Sequence, residues 1–465
     1  MHIFEDGIFK AYDIRGIVGT DLQIDDAYYI GFSFGNFLRE TTKAANDKDY
    51  TVAVGFDARK SGIKLCERLI AGLQDSGINV INIGLGATPM LYFAVQNLKT
   101  DAGIMITGSH NPIEYNGFKI TLHDRPISGK EMLHIATQYS DRSKCKTPGV
   151  ATEYNIENSY LEALLRGSFD GTHTTHRTLR IGIDALDGSG GAILKRIIQN
   201  LPQFDWHPAN LECNGQFDNI LPEPSKAQNV ERFQKRIISE NLDLFFAFDG
   251  DADRVFCILG NGRIVHGDEL TLLLSRDILK ENAGGKVIFD VKSSMILETE
   301  ILKYGGIPMV YKTGHSLIKQ KLQEENAVLA GEMSGHIYIN DGRYYPFDDG
   351  IYAFLRLLLA ELNYPIDKTV ATWPQSYTSP EIKIPCTQKT GAMHKIRETL
   401  LRLSPNKTLE IDGIKAFFHN STSSILIRPS NTEAILVARV ESYDEENFKW
   451  LEKILTNIIT DLDSK

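Results

Sequence analysis

The sequence predicts an α/β chain of three similarly built domains followed by a smaller α+β domain. Three observations carry this. At 465 residues the chain is long enough for about three or four domains. One local pattern, an apolar strand-like run, a turn of small polar residues and then helical periodicity, occurs three times. Beyond residue 364 that pattern gives way to strands alternating with two helical stretches.

In chain order, the first repeat is Thr51-Val52-Ala53-Val54-Gly55-Phe56-Asp57, leading into Arg59-Lys60-Ser61-Gly62. The second is Leu179-Arg180-Ile181-Gly182-Ile183-Asp184, leading into Gly188-Ser189-Gly190-Gly191. The third is Lys286-Val287-Ile288-Phe289-Asp290, leading into Lys292-Ser293-Ser294. The polar stretch 141–149 ends in Pro148-Gly149 and reads as a linker. Leu259-Gly260-Asn261-Gly262 reads as a turn joining the second and third domains. Residues 364–380 hold three prolines and lead into the fourth, whose expected strands include Ile382–Ile384 and Ala434–Val440. The expected domains are therefore 1–150, 151–258, 259–368 and 369–465.

Composition narrows the function. A hydrophobic fraction of 42% with 24% charged residues is that of a soluble globular protein. A net charge of −10 argues against nucleic acid as a partner. Against that background an anionic ligand needs local positive charge, which Arg15, Lys119, Arg254, Lys292, Lys312 and Arg428 can supply. Cys66, Cys145, Cys213, Cys257 and Cys386 are dispersed without a Cys-x-x-Cys pair, as expected of reduced thiols in the cytoplasm. The first residues lack a basic-then-apolar signal pattern. No apolar run approaches the roughly 20 residues of a membrane span.

Two distant segments bear chemistry. Asp249-Gly250-Asp251-Ala252-Asp253-Arg254 follows the apolar run Leu242–Phe248, so three carboxylates stand at a strand's carboxyl end, where open α/β sheets place ligands. Gly250 and Ala252 are small enough for the backbone to curl until the carboxylates converge. Clustered like charges favour a counter-cation, and oxygen ligands favour a hard one such as Mg2+. A calcium loop is excluded, because it needs Gly at its sixth position and Glu at its twelfth, where Arg254 and Gly260 stand. The other segment, Thr107-Gly108-Ser109-His110-Asn111-Pro112, follows Ile104–Ile106 and offers a hydroxyl on a tight turn. It is not a hydrolase nucleophile elbow, since Asn111 replaces the second Gly. A serine hydroxyl needs a base or metal to activate it. His110 is adjacent, but neighbouring side chains on a turn usually diverge, so it reads equally as base or structural hydrogen-bonder.

Two further loops suit a phosphosugar. Gly331-Glu332-Met333-Ser334-Gly335-His336 presents a carboxylate, a hydroxyl and an imidazole, a set suited to a polyol. Arg428-Pro429-Ser430-Asn431-Thr432-Glu433 presents a guanidinium, hydroxyls and backbone amides, suited to a non-transferring phosphate.

Four such loops in this order resemble the α-D-phosphohexomutase family, specifically its bacterial phosphomannomutase/phosphoglucomutase branch, over nearly the whole chain. Phe9-Lys10-Ala11-Tyr12-Asp13-Ile14-Arg15-Gly16 is similar to the family's opening motif. Gly117-Phe118-Lys119-Ile120, Asp290-Val291-Lys292 and Lys312-Thr313-Gly314-His315-Ser316 fall where the family places basic active-site residues. Ala252 stands where many members have glycine, a change the turn should tolerate. The residue at Met333 favours the mannose/glucose branch over phosphoglucosamine mutases.

The resemblance implies mixed sheets in three related α/β domains, a different fourth domain, and one loop per domain facing a central cleft. It implies a hexose 1-phosphate/6-phosphate mutase in which Ser109 carries phosphate and a hexose 1,6-bisphosphate serves as intermediate and activator. Mg2+ would lie on Ser109, Asp249, Asp251 and Asp253. Arg15, Lys119 and Arg254 would act on the transferring group, and Lys119 and His315 are both candidates for proton transfer. Tyr12, Lys292, Glu332, Ser334, His336, Arg428, Ser430, Asn431 and Thr432 would bind substrate. A grip on carbons 3 and 4 by Glu332 and Ser334 would accept both glucose and mannose, which differ at carbon 2. A metal-dependent sugar phosphatase, a non-catalytic phosphosugar binder and a phosphoglucosamine mutase are the competing readings. Phosphosugar is the expected partner, and a monomer is favoured.

Overall fold

Among the described residues, strand pairing gives four sheets. The computed structural model describes residues 2–41, 49–139, 143–169, 178–215, 217, 220–430 and 434–463. They divide into two units, Met1–Leu270 with Ser334–Asn363, and Thr271–Met333 with Tyr364–Lys465.

The first unit opens with β1 (Ile14–Ile17), α1 (Ile24–Thr41), β2 (Thr51–Phe56), α2 (Gly62–Asp75), β3 (Asn79–Leu85), α3 (Thr88–Asn97), β4 (Ala102–Ile106), β5 (Tyr115–Leu122), β6 (Pro126–Ile127), α4 (Gly129–Tyr139) and β7 (Ala151–Glu153). Its sheet has the order β1-β5-β4-β2-β3-β7, with β6 beside β5. It is mixed: β2 runs parallel to β3 and β4, whereas β5 runs antiparallel to β1 and β4. Leu65, Cys66, Leu69 and Leu73 recur at helical spacing on α2. All are buried in one core with Val52, Val54 and Ile104 of the sheet and Ile30 and Phe34 of α1. Each fully buried leucine contributes about 1.5–3 kcal/mol.

The chain continues through α5 (Glu157–Ser168), β8 (Arg180–Asp184), α6 (Gly191–Asn200), β9 (Asp205–Ala209), α7 (Ala227–Glu240), β10 (Leu244–Phe248), β11 (Val255–Leu259), β12 (Ile264–Val265) and α8 (Gly267–Glu281). The second sheet has the order β12-β11-β10-β8-β9. Every residue of β10 is buried, which explains its unbroken Leu-Phe-Phe-Ala-Phe run. Here β8 and β10 are parallel and β11 returns antiparallel beside β10. The first sheet treats β2, β4 and β5 in the same way. In both sheets the loop between a parallel strand and its antiparallel return holds the candidate site residues, Ser109 after β4 and Asp249 to Asp253 after β10.

One expectation is corrected. The turn at 259–262 does not join two domains. It is a hairpin within the second sheet, where β12 pairs with β11 and the Gly262 amide donates to Leu259 at 2.8 Å. Asn-Gly composition signals a turn without telling a hairpin from a linker, and the second sheet therefore reaches Val265 rather than ending at 258.

Helix α8 begins in the first unit and ends in the second. The second unit then contains β13 (Lys286–Asp290), α9 (Ile296–Lys303), β14 (Ile307–Tyr311), α10 (His315–Glu325) and β15 (Leu329–Gly331), with β13 parallel to both β14 and β15. Next in the chain, β16 (Ile337–Ile339) and α11 (Gly350–Asn363) belong to the first unit. The rest of the second unit comprises α12 (Ile366–Ala371), β17 (Tyr377–Thr378), β18 (Ile382–Pro385), α13 (Lys389–Arg402), β19 (Lys407–Leu409), β20 (Ile414–Phe418), β21 (Ser423–Pro429), β22 (Ile435–Ser442) and α14 (Glu445–Asp463). Its strands pair antiparallel throughout. Ile396 and Leu400 of α13 and Leu451 and Leu455 of α14 share a core with Ile425, Ile427, Leu436, Ala438 and Val440 of that sheet. This is the expected α+β element. Among the described residues no helix is long and apolar enough to cross a membrane.

Candidate active site

The serine loop begins where β4 ends. Thr107 donates from its hydroxyl to Asp57 Oδ2 at 2.8 Å and accepts from the Ser109 amide at 2.8 Å. Ser109 is held at φ +47°, a left-handed conformation that costs a non-glycine residue roughly 1–2 kcal/mol. It is buried, and its Oγ lies 3.1 Å from Asp249 Oδ2 and 3.2 Å from His110 Nδ1. The expectation that neighbouring side chains diverge does not hold here, because the left-handed turn swings Ser109 back toward its neighbour. His110 Nδ1 also accepts from Arg254 Nη2 at 2.8 Å. Burial first, then the Arg254 and Arg15 charges, hold His110 well below the usual histidine range, so the ring is neutral.

The facing loop leaves the end of β10. Asp249, Asp251 and Asp253 are each 0% exposed, and an oxygen of each lies within 4.8 Å of the others. A solvated acidic turn is thereby excluded. Gly250 is required, since a Cβ there would sit 2.4 Å from the Ser109 carbonyl oxygen. Ala252 takes φ +57°, so the turn accommodates alanine in a conformation where glycine is at ease.

Burial opposes ionisation of all three carboxyls. In Asp249 it is joined by repulsion from Asp253 and Asp251, and the group lies well above the usual range. In Asp251 the Lys119 ammonium helps to outweigh it and the pKa is lowered. In Asp253 Lys119 and His336 overcome it and hold the group down to about 2. Lys119 Nζ donates to Asp251 Oδ2 at 2.7 Å and also to Asp253 Oδ2. Burial would lower the lysine, but these two carboxylates raise it well above its usual range. Asp251 Oδ1 and Asp253 Oδ1 are buried without a hydrogen-bond partner. Buried oxygens of this kind, with Asp249 and the Ser109 hydroxyl beside them, fit a hard divalent cation of the Mg2+ class.

Arg254 links this cluster to the loop that follows β15. Its backbone bridges to His336, and its Nε donates to His336 Nε2 at 3.0 Å. His336 Nδ1 lies 3.2 Å from Asp348. The side chain is 4% exposed. His336 therefore faces Arg254 and the carboxylates of Asp348 and Asp253. Its acceptor nitrogen is set by the donor on Arg254, and the other nitrogen faces the Asp348 carboxylate. Ser334, by contrast, is exposed. Arg15 donates to Asn111 Oδ1 at 2.6 Å and pairs with Asp13, which ties the opening motif to the serine loop. Tyr12 is partly buried just before β1.

In the second unit, Lys292 Nζ lies 3.2 Å from Glu381. Burial would lower this lysine, but Asp290, Glu381 and Glu332 raise it. Glu332 is 2% exposed and accepts from the Gly314 amide at 3.1 Å, beside Lys312 and His315 at the start of α10. Arg428 falls within β21 rather than after it, and donates through Nε to Asp412 at 2.9 Å. The Ser430 carbonyl accepts from Lys389 at 2.7 Å. Asn431 and Thr432 lie outside the described residues.

Sequence reasoning assigned no role to Asp57, Arg59, Thr88, Glu223, Asp348, Glu381 or Asp412. Thr88 donates to Asp251 at 2.6 Å, Asp412 holds Arg428, and Glu381 pairs with Lys292. The one local signal was Asp57-Ala58-Arg59, an ion pair at the end of an apolar strand. The others are joined to their partners by tertiary contacts that no spacing reveals.

Three segments match descriptions of one family: residues 6–145 match "Phosphoglucomutase/phosphomannomutase, alpha/beta/alpha domain I", 158–262 match domain II, and 266–377 match domain III. The chain is 35% identical over 453 residues to a phosphomannomutase/phosphoglucomutase of Pseudomonas putida, covering 97% of this chain and 94% of that protein. It is 38% identical over 443 residues to a phosphoglucomutase of Neisseria gonorrhoeae, covering 94% and 93%. A crystal structure of a phosphoglucomutase/phosphomannomutase family protein from Burkholderia thailandensis superposes with a TM-score of 0.89 at 31% identity, covering 99% of this chain and 98% of that one.

Proposed function

The chain belongs to the phosphoglucomutase/phosphomannomutase family and is a phosphohexomutase, and we propose that it moves phosphate between carbons 1 and 6 of glucose or mannose through Ser109. The observation that carries this reading is the Ser109 hydroxyl, buried 3.1 Å from Asp249 in a carboxylate cluster with two buried oxygens that accept no hydrogen bond. Asp249, Asp251, Asp253 and Ser109 would hold Mg2+, which when bound supplies charge withdrawal from the serine phosphate.

Phosphoryl transfer depends on positioning and charge neutralisation more than on covalent help. In the resting enzyme Ser109 carries the phosphoryl group, and Arg254 and Arg15 neutralise its oxygens. The group passes to the free hydroxyl of hexose 1-phosphate or 6-phosphate, giving hexose 1,6-bisphosphate, which also serves as activator. The bisphosphate turns end for end and its other phosphate returns to Ser109. Lys119, held protonated by two carboxylates, serves as a fixed positive charge. When phosphate returns to Ser109, the serine proton has two acceptors in reach, Asp249 Oδ2 and the neutral His110 Nδ1. Of the two candidates for proton transfer at the sugar, Lys119 and His315, the fixed charge of Lys119 leaves His315.

Glu332 and Ser334 are assigned to the hydroxyls of carbons 3 and 4, and Lys292 and Tyr12 to substrate binding. Arg428, Ser430, Asn431 and Thr432 grip the phosphate that is not reacting. The domains invoked are 1–150, 151–265, 266–368 and 369–465, the boundary between the second and third being moved from 258 to 265 by the β11–β12 hairpin. The proposal invokes a single chain, working in the cytoplasm with its five free cysteines reduced. A coupled assay tests it: isomer interconversion is expected, whereas stoichiometric free phosphate would make the protein a phosphatase instead.

A further inference from the structure

We propose that Arg59 is a positioning residue for phosphoryl transfer, its buried guanidinium holding the loop that carries Ser109 in the one shape that aims the hydroxyl at Asp249. This rests on Ser109 being the phosphoryl carrier.

A guanidinium has five N–H donors, and in Arg59 each has an acceptor on this loop or beside it. Nη2 donates to the carbonyls of Ser109 at 2.8 Å and Asn111 at 2.6 Å. Nη1 donates to Tyr115 at 3.0 Å and to Pro112. Nε donates to Asp57 at 3.2 Å. Asp57 in turn accepts from the Thr107 hydroxyl at 2.8 Å and the Gly108 amide at 3.1 Å. The pair thus holds the loop from both sides, along residues 107–115. Arg59 is 1% exposed, with its guanidinium 5.1 Å from the centre of the Phe217 ring. It does not reach substrate: every donor is already committed to protein.

Two features make this more than a buried ion pair that stabilises the fold. Ser109 sits at φ +47°, a conformation the loop would leave if its carbonyls were released. Gly108 gives the guanidinium its room, since a Cβ there would stand 2.5 Å from Arg59 and 2.8 Å from the Tyr115 carbonyl. A displacement of about 1 Å at a reacting atom costs on the order of a hundredfold in rate.

Arg59→Lys keeps a positive charge for Asp57 but has three donors in place of a planar five. The expected result is a folded protein whose single-turnover transfer from phosphoserine to sugar is slowed ten- to a hundredfold, with KM within threefold of wild type. Val52→Ala, in the apolar core on β2, serves as the control for thermal destabilisation alone and should keep its rate. Gly108→Ala displaces the guanidinium without deleting the buried charge and should repeat the slow transfer, which keeps the question open to test should Arg59→Lys not fold. Full transfer rate in folded Arg59→Lys or in Gly108→Ala would overturn the inference. So would a rate loss in Val52→Ala equal to that of Arg59→Lys. Intact mass of the wild type separates the two layers: absence of a phosphorylated form defeats the carrier role itself, whereas its presence with unimpaired variants defeats only the role of Arg59.

Discussion

Replacing Asp251 by asparagine separates its part in holding a cation from its part in holding the fold. The carboxylate faces Asp249 and Asp253 oxygens within 4.8 Å and the Lys119 ammonium at 2.7 Å. At an effective dielectric of about 20, each like-charge pair costs about 3–4 kcal/mol and the lysine pair contributes about 6 kcal/mol. Repulsion and attraction therefore nearly cancel. An asparagine can keep its carbonyl oxygen at the Oδ2 position, where Thr88 and Lys119 donate, and its amide takes the Oδ1 position, which has no hydrogen-bond partner to lose. The cation-free variant should melt within a few degrees of wild type. Saturating Mg2+ at a hundred times its dissociation constant should stabilise the wild type by about 2.7 kcal/mol, whereas the variant should show little rise and lose at least a hundredfold in kcat/KM. Thermal melts in chelator and across an Mg2+ titration read both quantities. A wild-type-sized Mg2+ rise in the variant would refute the metal assignment. Collapse of the variant in chelator would show that Asp251 is chiefly structural.

Glu332→Gln should weaken the grip on sugar hydroxyls by about 1–3 kcal/mol for glucose and mannose phosphates alike; a ratio of catalytic efficiencies that shifts beyond a few-fold would mean that the loop reads carbon 2. Asp349 caps α11 and accepts from the Tyr160 and Tyr344 hydroxyls at 2.9 and 3.0 Å, yet burial pushes its carboxyl up to about 7. A folded pKa above the unfolded 3.8 means that stability is full at low pH, falls as pH rises toward 7 and is flat above, by roughly 4 kcal/mol in all. The melting temperature of Asp349→Asn relative to wild type should accordingly rise between pH 5 and 8, and parallel profiles would contradict the burial argument.

Legibility in the sequence followed the range of the interactions. The strands at Thr51, Arg180 and Lys286 were readable because each is an apolar run ended by small polar residues. The Ser109 and Asp249 loops were readable because a hydroxyl or repeated carboxylates at such a strand's end are unusual. The direction of His336 was not, because an imidazole between glycines looks the same whether it meets a sugar or Arg254. The nearness of His110 to Ser109 depends on a left-handed φ that composition does not encode. At Asn261-Gly262 the same turn chemistry serves a hairpin and an interdomain joint, so composition alone does not tell them apart. Asp57 and Arg59 were visible as a charged pair, but their grip on residues 107–115 appears only when β2 and β4 lie side by side.

Intact-mass spectrometry through a single turnover tests the phosphoryl carrier most directly. Wild-type protein should carry the mass of one phosphoryl group on the peptide containing Ser109, lose it in step with bisphosphate formation when hexose 6-phosphate is added, and regain it as hexose 1-phosphate appears. Ser109→Ala should fold, carry no such mass and show no interconversion. Wild-type protein that interconverts the isomers at full rate, with Ser109 unmodified at every time point, would contradict the account.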